Sequence, residues 1–416
     1  MADIGNLASR DAKWCPPWSD GLGARSSSVA LRGALAKRVL LSGSIAGHAL
    51  GYGGNTWAFL QWLLGFRRLG FDVYYVEERR ADQCMDESLK PVPFMESATA
   101  RYFRQVIERF DLGDRAALLE AGSSAHVGLS REDIEKVAGE VDLFLNQFGG
   151  YTAILGRVRR SVYLDLDPGQ TQVWQEKYGV DMRLRGHDLY LTIGLNLGEP
   201  DCPLPTCGIR WEKTLWPIVL SEWETHDLPG PAFTTVANWR DYDWIEWRGV
   251  WYAQKAEAFK AVIDLPRRVS MPIEVCLSIS DSDPDLPVLR ANAWNLVSPR
   301  DRTRDPDSYR DYIQQSRGEF SPVRPICSLG KSGWFSDRSG CYLAAGRPVV
   351  MEDTGLGRHV PVGLGLLTYV DVETAAQCLE AVQRDYARHA AAAREFAREH
   401  LDSDRVLARI LRLARL

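Results

Sequence analysis

The sequence predicts an α/β protein of two doubly wound domains facing each other across a cleft. Three observations carry that expectation. The chain has 416 residues, and single hydrophobic cores stop growing near about 250–300 residues, so two domains are the default. Strand-like apolar runs alternate with helical stretches twice along the chain, the pattern of parallel sheets with crossover helices. Between the two alternations Pro200, Pro203, Pro205, Pro217, Pro229 and Pro231 interrupt any regular period and mark an interdomain segment.

Residues 1–35 are small and polar and read as a loosely held leader. The first domain is expected over 36–200. Its opening run at 38–43 reads as a buried strand, followed by a loop rich in glycine, with Gly47, Gly51, Gly53 and Gly54. The apolar density of 56–64 suits a packed helix, and 71–76 reads as the next strand. Strand, glycine loop, helix and strand within about 40 residues make a βαβ unit, which implies parallel pairing and a right-handed crossover. The alternation continues with a helix at 95–110, a short apolar run at 116–119, a helix at 131–138 and strands at 141–145, 161–167 and 188–194. Pro168 and Gly169 stop the strand at 161–167.

The interdomain segment is expected over 201–230 and the second domain over 231–395. Strands are expected there at 232–236, 273–277, 293–297, 323–327 and 347–351, with helices between them. The chain closes in alanine- and arginine-rich helical stretches. Ser403 suits the cap of the last one, where Val406, Leu407, Ile410, Leu411 and Leu413 form one apolar face. The segment 396–416 is therefore expected as a C-terminal helix, with a return to the first domain left open.

Bulk composition narrows the functions. Hydrophobic residues at 45% and charged residues at 25% match an average globular protein, and no run approaches the roughly 20 apolar residues of a membrane span. The start Met1-Ala2-Asp3-Ile4-Gly5 has no basic region followed by an apolar run, so no secretory signal is read and a cytoplasmic location is expected. A formal charge of −5, with Lys and Arg interleaved among Asp and Glu, argues against a nucleic-acid partner, because such proteins concentrate cations against phosphates. Cys202 and Cys207, the closest pair of eight cysteines, have no second pair or histidine nearby, so reduced, packed thiols are expected rather than a metal site. Fourteen tryptophans, part of them between Trp211 and Trp251, either wall a cleft or pack in the core.

The sharpest local signal is Lys331-Ser332-Gly333-Trp334-Phe335-Ser336-Asp337-Arg338-Ser339, followed by Tyr342-Leu343-Ala344-Ala345-Gly346-Arg347-Pro348-Val349-Val350. It reads as a turn, a helix and a strand. Glycine lets backbone approach a ligand closely, Ser336 or Asp337 suits the cap, and a helix N-terminus offers unpaired N–H groups with a partial positive charge. That end is a natural diphosphate seat, to which Lys331 and Arg338 would add direct charge pairing. A purely structural capped helix would carry the same glycine and the same cap.

These residues resemble the donor-binding region of GT-B glycosyltransferases. Gly333-Trp334 with Ser336 is similar to the Gly-Trp-Asn-Ser part of the plant-type signature. Ala345-Gly346-Arg347-Pro348-Val349-Val350 is similar to the stretch that closes the donor helix, and Glu352-Asp353-Thr354-Gly355 resembles the loop held against the donor sugar. The resemblance implies two Rossmann-like domains, a helix N-terminus with Ser336 and Arg338 on the diphosphate, and a nucleoside-diphosphate sugar as co-substrate without metal or other cofactor. Two departures stand out: Cys341 takes the place of the ribose-binding Glu, and Gly333 falls where retaining enzymes carry a second Glu. Ribose recognition is then assigned to another residue, with Ser339 as the candidate.

By the same analogy, Asn238 and Arg240 in the loop after the opening strand of the second domain, and Lys255 at a helix start, approach the diphosphate across the cleft; exposed surface charge is the plainer reading of each. The segment 316–320 lies near where a nucleobase packs in the family, or is an ordinary turn. His48, in the glycine loop where open α/β sheets place ligands, has the pKa of a general base. Asp165, with Asp167, is the second candidate base, since alternation points both to one face; capping explains them equally well. Gly51, Gly53, Gly54 and Asn55 are expected to give backbone room for the acceptor, and their spacing misses the Gly-x-Gly-x-x-Gly of dinucleotide binders.

The function expected is therefore glycosyl transfer from a nucleotide sugar to a small-molecule hydroxyl or thiol acceptor, with no nucleic acid and no membrane span. Homodimer formation is left open. The alternatives are a sugar-nucleotide epimerase of the same fold and a catalytically silent homologue that assists a partner enzyme.

Overall fold

The computed structural model describes residues 37–47, 53–88, 90–226 and 228–416. The leader expected over 1–35 therefore lies outside the described residues. The first sheet holds β1 (Arg38–Ser42), β2 (Asp72–Arg79), β3 (Ala116–Glu120), β4 (His126–Gly128), β5 (Leu143–Gln147), β6 (Ser161–Asp165), β7 (Leu189–Thr192) and β8 (Glu212–Lys213). Their order is β4-β3-β2-β1-β5-β6-β7-β8. Only the β3–β4 pair is antiparallel. Val39, Leu40, Leu41, Leu143, Phe144 and Leu145 are all buried, as continuous apolar runs must be when helices cover both faces of a parallel sheet.

The second sheet holds β9 (Phe233–Asn238), β12 (Ile273–Ser278), β13 (Asn295–Val297), β14 (Gly318–Ser321), β15 (Val349–Glu352) and β16 (Leu366–Tyr369). It is wholly parallel, in the order β13-β12-β9-β14-β15-β16. Between β9 and β12 lies a separate hairpin, β10 (Ile245–Trp247) with β11 (Val250–Tyr252). Each large sheet reverses its strand order once, between β1 and β5 and between β9 and β14. In open α/β sheets ligands bind beyond the strand ends at that reversal.

Three local expectations are corrected. The stretch expected as a strand at 323–327 starts with irregular chain and contains the short helix Pro325–Ser328, where Pro325 sits at the first helical position. The strand is β14, formed largely by residues read as near the nucleobase or as an ordinary turn. Glu319 and Phe320 of β14 are fully buried, and Glu319 is held by an arginine far along the chain. The segment 201–230, expected to lack regular structure, supplies β8 to the edge of the first sheet. Asp402, not Ser403, caps the last helix, its side chain accepting from the Asp404 N–H at 2.9 Å.

The largest core cluster joins both halves of the chain, with Trp57 against Trp223 and Trp62 against Trp216. The helix Gly53–Arg68 is buried almost all round because the C-terminal helix Ser403–Ala414 returns to pack on it. A Cβ on Gly65 would stand 2.7 Å from Leu407, so glycine there sets the close approach of the two helices. Where the chain crosses between halves, the Ile218 N–H donates to Leu401 O at 2.7 Å and the Ser403 N–H donates to Ile218 O at 3.0 Å. Among the described residues no helix is long and apolar enough to cross a membrane.

Candidate active site

A cleft of about 1050 Å³ opens between the halves. Gly47, Gln83 and Thr99 line it from the first half; Trp239, Arg240, Ser278, Asp283 and Arg300 line it from the second. Gly47 follows β1, Trp239 and Arg240 follow β9, and Ser278 ends β12. The cleft thus lies beyond the strand ends next to both strand-order reversals.

The loop after β1 is braced from behind. Glu77, buried on β2, accepts from the Ala46 N–H at 3.1 Å, from the Tyr75 hydroxyl at 2.9 Å and from Arg79 Nε at 2.9 Å. Arg79 also reaches the Ser44 hydroxyl. Burial, and then Glu77, push the Tyr75 phenol well above its ordinary pKa. These contacts fix Ser44–Gly47 at the mouth of the cleft. His48 and Gly51 lie outside the described residues.

The other residues expected around this loop have structural duties. Gly53 donates its N–H to Thr303 O at 2.8 Å, and a Cβ on Gly54 would stand 2.6 Å from the Tyr309 ring. Both glycines therefore admit the helix Pro306–Gln314 of the other half, which corrects their assignment to the acceptor. Asn55 donates to Ser44 O at 2.5 Å and closes the turn. Asp165, expected as a base, is fully buried and fully engaged: it accepts from Thr171, Gln172 and Thr192 side chains, each at 2.8 Å, and from the Asp167 N–H at 3.1 Å. Burial raises its pKa, but its oxygens are committed to holding the following helix, so it is corrected to a positioning residue.

Asp167 turns instead to the second half. It pairs with Arg324 and accepts from the Tyr242 hydroxyl at 3.1 Å. Arg324 lies over the Tyr242 ring at 4.7 Å and has Asp241 3.8 Å from its Nε. Its Nη1 is buried with no hydrogen-bond partner among the described residues.

Beside this group stands Lys255, at the start of the helix Lys255–Lys260. Burial first, then the Arg338 and Arg324 guanidiniums, against the pull of Asp241 and Glu319, lower its ammonium pKa to about 8. Among the described residues its ammonium has no hydrogen-bond or ion-pair partner. Arg240, two residues past the end of β9 and read either as a diphosphate ligand or as exposed surface charge, is a half-exposed cation already paired. It binds Asp283 at 2.8 and 3.1 Å and Asp285 at 2.8 Å, while its Nη1 is 3.3 Å from Gln254, next to Lys255. Asn238 is exposed at the end of β9.

The segment expected to seat the diphosphate is arranged differently. Ser336 caps the helix Asp337–Ala344 by accepting from the Arg338 N–H at 3.2 Å. Arg338, however, runs back under the sheet. It donates to buried Glu319 at 2.6 Å, to Val236 O at 2.9 Å and to the Ser321 hydroxyl at 2.9 Å. Burial alone would lower its pKa, but Glu319 outweighs burial and the guanidinium stays charged. Asp337 is buried too, and burial raises its pKa. Arg338 is thus corrected from a direct diphosphate ligand to a buried cation that holds β9 to β14.

Gly333 has φ +69°, and a Cβ there would stand 2.8 Å from the Asn196 N. Its close approach is therefore to the other half of the chain, not to a ligand. Asn196 donates its side-chain N–H to Lys331 O at 2.9 Å and to Gly355 O at 3.2 Å, and its Oδ1 lies 2.6 Å from His359 Nε2. Trp334 bridges to Gly194, and Thr354 donates to Trp334 O at 2.8 Å. Asp353 accepts from the Gly355 N–H at 3.0 Å. Glu352 accepts from the Val323 N–H at 3.1 Å; burial raises its pKa, opposed in part by Lys255. Ser339 is buried, with its hydroxyl lacking a partner among the described residues.

The structure thus brings together Lys255, Arg338 and Glu352 with Arg324, which sequence reasoning passed over, with Glu319, considered only within the 316–320 segment, and with Asp167, considered only as a base. Glu319 and Arg324 sat in stretches assigned to the wrong element. The cleft residues at the ends of β12 and β13 carried no motif. A strand end followed by Ser278, Ser280 and Ser298 was the signal present.

No protein-family model matches the sequence, and no characterised protein matches it in sequence. In three dimensions the chain is similar to an alpha-glucosyltransferase in complex with UDP and a 13-mer DNA with a central A:G mismatch, at 11% identity and TM-score 0.59, covering 92% of this chain and 100% of that one. It is also similar to Anabaena HepE in complex with UDP and glucose, at 13% identity and TM-score 0.56 over 92% and 100% of the two chains. Sucrose-phosphate synthase from Thermosynechococcus elongatus matches at 11% identity and TM-score 0.54, over 91% and 98%. The chain has the GT-B fold.

One expectation is overturned here. Alpha-glucosyltransferases of this fold are seen in complex with DNA, so neither a small-molecule acceptor nor the exclusion of nucleic acid follows for this chain. Net charge misled because it sums the whole surface, whereas a partner meets only one local face.

Proposed function

We propose that the protein is a glycosyltransferase that takes its sugar from a uridine diphosphate sugar held in the cleft. The observation that carries this reading is the half-buried Lys255 ammonium at the β9 strand end of a GT-B fold, which among the described residues is hydrogen-bonded to no group and ion-paired with no carboxylate, Asp241, Glu319 and Glu352 acting on it only from further off. An uncompensated cation in a partly desolvated place is unfavourable unless an anion completes it. A diphosphate supplies that anion, and the neighbouring structures bound to UDP point to uridine as the nucleoside. The buried, unpartnered Nη1 of Arg324 adds a second donor.

In the reaction an acceptor oxygen bonds to the anomeric carbon as the bond from that carbon to the β-phosphate oxygen breaks. The electron pair leaves with UDP, and the acceptor proton passes to a base. Lys255 and Arg324 would stabilise the charge that grows on the leaving diphosphate. They would do the work a divalent ion does elsewhere, so activity is expected to survive a chelator. His48, directly after cleft-lining Gly47, is the candidate base. Glu319 and Arg338 would fix the strand ends from which Lys255 and Arg324 project. We take each large sheet, with its helices, as one domain and the crossings at Ile218 and Asp402 as the links between them.

The test is incubation with a panel of uridine diphosphate sugars, scored for free UDP. Wild type should release UDP from at least one, and Lys255→Ala should lower the rate by roughly 10²–10³-fold, as removal of one transition-state charge partner does. A folded wild type that neither binds UDP nor releases it would overturn the reading.

A further inference from the structure

The hairpin β10–β11 sits between β9 and Lys255, so the chain that leaves the cleft at Arg240 must pass through it before reaching the Lys255 helix. Its turn, Arg248 at φ 51° and Gly249 at φ 82°, has both central residues left-handed, the tight form that matches strand twist. The register Ile245↔Tyr252, Glu246↔Trp251 and Trp247↔Val250 assigns residues to faces, because opposed residues share one. One face is anchored: Ile245 and Tyr252 are buried, and Trp247 Nε1 donates to Pro203 O at 2.8 Å.

The other face is open. Trp251 is 59% exposed and lies opposite Glu246; Trp244, in the chain just before β10, is 50% exposed. Glu246 is ion-paired with Lys177, and its N–H donates to the Tyr178 hydroxyl at 2.9 Å. Tyr178 is 45% exposed, with the Lys177 ammonium 5.5 Å from its ring centre. Exposed Trp251 and Tyr178 thus both flank Glu246 and its ion pair with Lys177, and exposed Trp244 directly precedes the strand that carries Glu246.

We propose that this face binds a neutral glycan, the acceptor chain of the transfer reaction; the inference rests on the function proposed above. Indole faces stack on the apolar C–H faces of pyranose rings, while the ring hydroxyls bond to charged groups at the rim. The charges of this face favour this occupant. Asp241, Asp243 and Glu246 set against Lys177 and Arg248 leave no basic excess for a polyanion. An ion pair at the centre of the face would have to be stripped of water by lipid or by an apolar protein surface, at a cost its attraction does not recover. Sugar hydroxyls replace that water on both charges.

The test titrates cellohexaose, maltohexaose and chitohexaose into the full chain and follows tryptophan fluorescence, with a single-stranded oligonucleotide and neutral phosphatidylcholine vesicles as parallel arms. At least one hexasaccharide should bind, and Trp244→Ala with Trp251→Ala should weaken it at least tenfold with an unchanged unfolding midpoint and unchanged UDP affinity. Trp251→Phe, which keeps a stacking ring, should retain most of the binding. The proposal is overturned if no hexasaccharide binds, if the double variant binds as wild type does, or if the oligonucleotide or the vesicles are what the two indoles retain. UDP affinity, measured in the same samples, separates failure of this face from failure of the proposed function.

Discussion

At the scale of single residues, the cluster beyond β9 and β14 divides into groups that have partners and one that does not. Arg338 and Glu319 satisfy each other in a buried place, so removing one strands the other. Arg338→Ala is therefore expected to cost about 3–5 kcal/mol of folding stability, read by chemical denaturation. A stable variant with weakened UDP binding alone would restore Arg338 to the diphosphate. Lys255 behaves oppositely, because burial and the neighbouring guanidiniums lower its pKa to about 8. Its native form holds the proton less tightly than the unfolded chain does, so its contribution to stability rises with pH from about 8 towards its ordinary range. Affinity for a diphosphate runs the other way, since the charged form is lost as pH rises through about 8. UDP affinity should fall over that window in wild type and stay flat in Lys255→Ala, by calorimetry at constant ionic strength. His48→Ala should abolish turnover with UDP binding retained; normal turnover would move the base elsewhere. Little of this division was legible in the sequence. Asp165 and Arg338 carry the right chemistry at plausible positions, but which carboxylate or guanidinium is already paired depends on residues that meet only after folding.

At the scale of elements, the segment 331–339 shows why a local pattern under-determines its use. A positive-φ glycine before a capped helix serves a ligand's approach and a chain's approach equally. The turn and the cap were legible in 331–339. Asn196, which occupies the space beside Gly333, is far away in sequence and was not. Gly333→Ala adds both a strained φ and a contact with Asn196, and is expected to cost about 1–3 kcal/mol. Asn196→Ala, which removes the bonds to Lys331, Gly355 and His359, should loosen the same contact and make Gly333→Ala less costly in combination. A double-mutant cycle on unfolding free energy measures that coupling; strict additivity would show that the two do not meet in solution. Strand β14 gives the converse lesson, since Gly318–Ser321 lacks an apolar run and was not read as a strand. It is a strand because Arg338 satisfies Glu319 inside the sheet.

At the scale of the whole molecule, two alternations separated by a proline-rich break were enough to read a two-sheet α/β architecture. Apolar periodicity is local, and the sheets obey it. What periodicity does not carry is how the two halves meet. The apolar seam around Trp57, Trp62, Trp216 and Trp223, the Asp167–Arg324 pair and the Asn196 contacts set which strand ends face each other, and so where the cleft lies. The donor seat proposed here, in the cleft beside Arg240 and Lys255 rather than at the helix end by Gly333, rests on that meeting. The most direct measurement is a crystal structure with UDP bound. Density for the diphosphate beside Lys255, with the nucleoside lying in the cleft along Ser278 to Arg300, is the expected result. A diphosphate seated instead on the N–H groups of the helix Asp337–Ala344, away from Lys255, would contradict it.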